Sequence, residues 1–140
     1  LAYNIFETDK IICPIMDARR SQVYNAFYEF KDGKFTEIHK QDTRSIDEVI
    51  SIAEESGRKV VFLGDGVPVY REKIEGHENF IIAPQHCNMQ KASTVAALAF
   101  NYANEGKAVK CDDFAPFYLR KSQAERELEE KKKAMEEGKE

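Results

Sequence analysis

Tryptophan is absent from this chain, and cysteine and histidine occur only three times each. Cys13, Cys87 and Cys111 are odd in number, far apart and never spaced as Cys-x-x-Cys, so neither a zinc site nor a disulfide framework is expected. They fit a reduced, cytoplasmic protein. His39, His77 and His86 lack ligand-pair spacing and His-Glu-x-x-His does not occur, which leaves a metallopeptidase without support. His86 adjoins Cys87, but sequence neighbours rarely achieve proton-transfer geometry and no orienting acid is evident. No apolar run approaches the ~20 residues that span a bilayer, and the first residues do not read as a basic-then-apolar leader, so no membrane partner is expected. Excess positive charge is missing as well: 21 Lys and Arg against 25 Asp and Glu give a net charge of -4. A freestanding nucleic-acid binder needs a basic surface, so any RNA contact would be local or made through a partner.

What is present suits one domain with a real core, since 140 residues need neither disulfides nor metal for stability. The first residue is Leu1 rather than methionine, and residues 1–10 read as the tail of a preceding helix or a linker, so a piece of a longer protein is expected. The apolar run Ile11 to Met16 and the aromatic run Asn25 to Phe30 suit two strands, joined by the polar stretch Asp17 to Tyr24. Lys31-Asp32-Gly33-Lys34 is a turn signal, and Phe35 to Asp42 alternates as a third, one-sided strand. Ser45 and Glu48 form a capping box before Ile46, Val49, Ile50 and Ala53, which recur at helical spacing until Gly57. Val60 to Leu63 lacks alternation, as a strand covered on both faces does. A short helix over Val67 to Glu75, a strand Phe80 to Ala83 and a helix Ala92 to Tyr102 follow. In the last helix Ala92, Val95, Ala96, Ala99 and Ala103 make a small-residue face fitted to pack on a sheet.

The order β-β-β-α-β-α-β-α points to an α/β fold with a five-stranded mixed sheet. It is that of the ribonuclease H-like lobe of actin-like ATPases, with the common right-handed crossovers. The lobe is expected over residues 11–120. Residues 121–140 read as a charged, partly frayed C-terminal helix: Ser122 and Glu125 form a capping box, and Ala124, Leu128 and Met135 leave a thin apolar stripe.

In this fold the strands ending at Asp17 and Asp65 are adjacent and parallel, bringing both carboxylates to the rim where open sheets bind ligands. Three readings stand. Asp17, Asp65 and a helix acid such as Glu54 hold magnesium for phosphodiester cleavage. Alternatively the rim is a degenerate nucleotide or partner surface, with Arg19 and Arg20 where a nucleotide-binding hairpin would place glycine. Or Asp17 pairs with an arginine and only fixes the turn. Gly64-Asp65-Gly66 by itself decides little, because no Gly-x-Gly-x-x-Gly or Walker lysine accompanies it. Tyr24, Phe27, Tyr28 and Phe30 read as core rather than as a base-stacking platform.

The stretch Asp17-Ala-Arg-Arg-x-x-Val-Tyr24 resembles that of the TsaB (YeaZ) family, needed to make threonylcarbamoyladenosine on transfer RNA. Pro116-Phe-Tyr118-Leu119-Arg120 is similar to the family's Pro-x-Tyr-Leu-Arg close, Gly64-Asp65-Gly66 to its strand-ending turn, and Ala92 to Ala99 to its alanine-rich helix. The family has two actin-like lobes, and the Asp-Thr-Ser strand and Gly-Pro-Gly-Ser-Phe-Thr-Gly loop of its first lobe have no counterpart here. The resemblance is therefore to the carboxy-terminal lobe. It implies a non-catalytic scaffold that activates the transferase TsaD and recruits the ATPase TsaE, reaches tRNA only through the complex, and forms homodimers. No cofactor is implied, with ATP or ADP binding only in the intact assembly. The competing class is an enzyme, either a nucleotide-dependent actin-like ATPase or the peptidase suggested by the family's glycoprotease label.

Overall fold

A computed structural model describes residues 1–120 of the chain. Its strands are β1 (Ile11–Asp17), β2 (Gln22–Lys31), β3 (Lys34–Ser45), β4 (Val60–Leu63) and β5 (Phe80–Ile82), and its helices are α1 (Ile46–Glu55), α2 (Gly66–Ile74) and α3 (Ala92–Asn104). The order expected from the sequence is the order found. The strands form one mixed sheet, β3-β2-β1-β4-β5, in which the first three are antiparallel and β1, β4 and β5 run parallel. The charged C-terminal helix expected over 121–140 lies outside the described residues.

Pro14 stands in the central strand, where a residue without an N–H leaves a gap in the ladder. The β1–β2 pairing accordingly runs from Ile12 opposite Tyr28 to Ile15 opposite Asn25, and β2 is irregular against β3 over the same stretch, between Asn25 and Tyr28.

Alternation along β1 divides the core in two. Ile11, Cys13 and Ile15 join Val23, Phe27, Val60 and Phe62 under α1 and α2. Ile12 joins Val61 and Leu63 on the other face, beneath Ala2, Ala83 and Cys87. β4 is buried at all four positions, as its unbroken apolar run requires. Burial pushes the Cys13 thiol far above its ordinary pKa, so it packs as a small hydrophobe.

Residues 1–10, read as a helix tail or linker, are built into the lobe. Ala2–Asn4 is a short 3-10 helix whose Asn4 side chain donates to the carbonyls of Cys87 and Met89 at 2.9 Å each. The same residues redirect α3. Thr94 Oγ1 donates to Asn4 Oδ1 at 2.8 Å and Asn101 Nδ2 to the Tyr3 hydroxyl at 2.8 Å, so α3 leans on the 3-10 helix through Thr94 and Asn101. The expected small-residue face is thereby corrected: Ala92, Ala96, Ala99 and Ala103 are exposed and Val95 is 60% exposed. Periodicity identified the helix, but two polar anchors chose its inward side.

The capping box at α1 is present in both directions. Ser45 Oγ accepts from the Glu48 N–H at 3.2 Å, and Glu48 Oε2 accepts from the Ser45 N–H at 2.7 Å. The Ser45 hydroxyl and backbone bonds hold the Glu48 carboxyl below its usual range. Ser45→Ala is expected to lower stability by about 1 kcal/mol in urea melts at neutral pH. Because Glu48 is depressed on folding, its contribution is complete above the ordinary glutamate range and fades as pH falls through the lowered value.

Candidate functional site: the rim at Asp17 and Asp65

The parallel pairing of β1 with β4 sets Pro14 opposite Leu63, and both chains then turn at the same end of the sheet. Asp17 closes β1, and Asp65 follows β4 by two residues. They are linked through backbone rather than through a shared ligand: the Asp17 N–H donates to Asp65 Oδ1 at 3.2 Å. Asp17 Oδ1 in turn accepts from the Arg19 N–H at 2.9 Å, while its other oxygen lies 3.5 Å from the Arg19 guanidinium.

The hairpin tip uses an uncommon backbone. Arg19, Arg20 and Ser21 have φ of +63°, +55° and +58°, so three successive non-glycine residues are left-handed. Each such residue costs roughly 1–2 kcal/mol. Bonds from Ala18 N–H to Gln22 O (2.9 Å), Gln22 N–H to Arg19 O (3.0 Å) and Ile46 N–H to Ser21 O (3.2 Å) hold the turn between β1, β2 and the start of α1. In consequence both arginine side chains stand in solvent, and the Arg19 side chain is 88% exposed.

The glycines around Asp65 serve a close approach. Gly64 has φ +118°, and a Cβ there would sit 2.1 Å from the Ile15 carbonyl oxygen. At Gly66 a Cβ would lie 3.1 Å from the same oxygen and 3.4 Å from Asp17 N. Both residues let the β4–α2 turn lie against the end of β1, and this brings the Asp65 carboxylate within reach of Asp17 N. The Gly64 N–H donates to Asn88 Oδ1 at 3.0 Å. Asn88 is a rim residue that sequence reasoning missed, because one asparagine in a polar loop carries no signal. Tyr70 was missed likewise: burial first, and the Asp17 charge second, raise its hydroxyl pKa.

The two most specific motifs meet in space. Arg120 donates from its guanidinium to the Ala18 carbonyl at 2.9 Å, across 102 positions of sequence. Leu119 and Tyr24 line one groove beside it. Pro116 and Tyr118 are not drawn in: both are exposed, Tyr118 to 82%.

The magnesium trio is not assembled. Glu54 lies at the far end of α1, about 12 Å along the helix from Ile46, which starts at the rim, and its Oε1 is 2.8 Å from His77 Nδ1. Among the described residues no group of three or more His, Cys, Asp or Glu side chains converges on a metal position. His86 is exposed while Cys87 is buried in the second core, so these neighbours face apart.

Because the Asp17 carboxylate serves mainly its turn, Asp17→Ala should cost about 1 kcal/mol in urea melts, with Arg19→Ala costing less. A loss several times larger would show that Asp17 carries more of the fold than these bonds account for.

A family model described as "TsaD: tRNA N6-adenosine threonylcarbamoyltransferase" matches residues 1–128. The "tRNA threonylcarbamoyladenosine biosynthesis protein TsaB" of Bacillus subtilis (strain 168) is 33% identical over 129 residues, covering 89% of this chain and 54% of that protein. Two solved structures from Pseudomonas aeruginosa share the fold: an uncharacterized protein with similarity to peptidase YEAZ (TM-score 0.62, 19% identity, 79% of this chain and 50% of the other) and YeaZ (TM-score 0.62, 17% identity, 78% and 50%). The chain spans about half the length of each of these relatives.

Proposed function

We propose that this chain, which belongs to the TsaD family of tRNA N6-adenosine threonylcarbamoyltransferases and is TsaB-like (YeaZ-like) within it, is a lobe of a non-catalytic scaffold and activator in the synthesis of threonylcarbamoyladenosine on tRNA. Its partners are TsaD and TsaE homologues in the cytoplasm, with tRNA reached through the complex and self-association as a homodimer.

The observation that carries this reading is how the rim spends its polar groups. Asp17 and Asp65 are engaged in holding two chain turns together, and Arg19 and Arg20 point outward from a turn fixed on three sides. A phosphate-binding hairpin would offer glycine backbone to its ligand, whereas this one offers charged side chains suited to an acidic partner surface.

The test is turnover by the purified chain. Incubated alone with ATP, a peptide substrate or RNA, it is expected to release no phosphate, peptide fragment or nucleotide above a buffer blank. Steady turnover of any of the three, abolished by Asp17→Asn or Asp65→Asn, would establish the enzyme reading instead.

A further inference from the structure

The chain has two hairpins, and they meet the same backbone demand with different residues. Between β2 and β3 the left-handed positions are Asp32 and Gly33, at φ +52° and +73°, a pair that such a turn favours. Between β1 and β2 they are Arg19, Arg20 and Ser21, at +63°, +55° and +58°. None of these three side chains suits the left-handed region, where glycine, asparagine or aspartate would sit with less strain. Strain that surrounding bonds hold in place marks a position kept for its side chains.

What those side chains offer is concentrated positive charge. Arg19 and Arg20 are exposed, and Arg120, bonded to the Ala18 carbonyl at 2.9 Å, sets a third guanidinium against the base of the tip. Among the described residues only Arg19 of the three has an ion-pair partner, the Asp17 oxygen at 3.5 Å. The surroundings carry the opposite sign. Asp65 is exposed across the rim, and Asp47 and Glu48 are exposed in the first turn of α1, which the Ile46 N–H ties to Ser21 O. A continuous phosphate backbone laid over the tip would meet those acids, whereas a bounded acidic patch would meet the arginines alone. Given the accessory role proposed above, on which this rests, we propose that the β1–β2 tip is a protein-docking knob. Its partner presents two or more carboxylates, flanked by basic side chains that face Asp47, Glu48 and Asp65. Planar guanidinium groups grip carboxylates through paired bonds, so lysine at the tip would serve less well.

The test compares the purified chain with a double Arg19→Gly, Arg20→Gly variant and a double Arg19→Lys, Arg20→Lys variant. Glycine relieves the tip, so the folding equilibrium constant read from urea melts should rise by up to about tenfold, and should stay near its native value with lysine. NMR of the arginine side chains then follows titration with a lysine-flanked oligoglutamate peptide and with a single-stranded RNA of equal acidic charge. The peptide should shift the Arg19 and Arg20 signals and bind the glycine variant at least about tenfold more weakly, with the lysine variant between. Tighter binding of the RNA than of the peptide would overturn the inference. So would peptide binding unchanged by the glycines, or a glycine variant less stable than the native chain. Neither readout involves tRNA modification, so a failure of the accessory role and a failure of the docking knob are seen separately.

Discussion

Gly64→Ala is expected to remove most of the stability of the fold. Two independent penalties meet at this position: φ of +118° is a conformation that L side chains rarely adopt, and the added Cβ would lie 2.1 Å from the Ile15 carbonyl oxygen and 3.0 Å from its carbon. Both obstacles are backbone of the central strand, which cannot swing aside as a side chain would. A loss of about 3–5 kcal/mol or more is expected, a large part of the 5–15 kcal/mol typical of a domain. Gly57→Ala is the internal comparison. Its φ is +61° with nothing within 4 Å, so only the left-handed penalty of about 1 kcal/mol applies. Urea midpoints of the two variants should therefore differ widely, and similar midpoints would show that the β4–α2 turn can move off β1.

Phe62→Ala should be nearly as damaging. Phe62 is fully buried in β4, packs with Ile11, Cys13, Ile15 and Val60 in the larger core, and meets Phe80 edge to face at 5.0 Å. Truncation leaves a cavity between the sheet and its helices, costing about 3–5 kcal/mol. Phe100, 67% exposed on α3, is the contrasting site, where truncation should change stability by no more than about 0.5 kcal/mol. Comparable losses at both phenylalanines would mean that α3 is packed more tightly than its exposure indicates.

The fold was legible wherever the determining signal was local. The capping box, the unbroken run of β4 and the turn at Asp32-Gly33 each carry their structure within a few residues, and together they establish the element order. The pairing of β1 with β4 followed from that order and brought Asp17 and Asp65 to one rim. The functions of individual groups at the rim were not legible, because they depend on distant partners. Gly64 and Gly66 decided little by themselves, because what each lies against is Ile15 of another strand. Glu54 read as a third ligand, yet a helix's length separates it from the rim and it meets His77. The left-handed run Arg19 to Ser21 runs against ordinary turn preferences, and Arg120 reaches Ala18 across most of the chain. The face of α3 was misread for the same reason: Asn4 and Tyr3, some ninety positions upstream, decide which side turns inward.

The most direct test of the accessory role is reconstitution of threonylcarbamoyladenosine synthesis on tRNA with TsaD and TsaE homologues. Three reactions are compared: one with Bacillus subtilis TsaB, one with a chimera in which this chain replaces the half it matches, and one with neither. Modified nucleoside counted by mass spectrometry should rise with TsaB and with the chimera, and the rise should weaken when Arg19 and Arg20 of the chimera are changed to alanine. Equal modification with the chimera and with neither protein, while TsaB itself stimulates, would contradict the account.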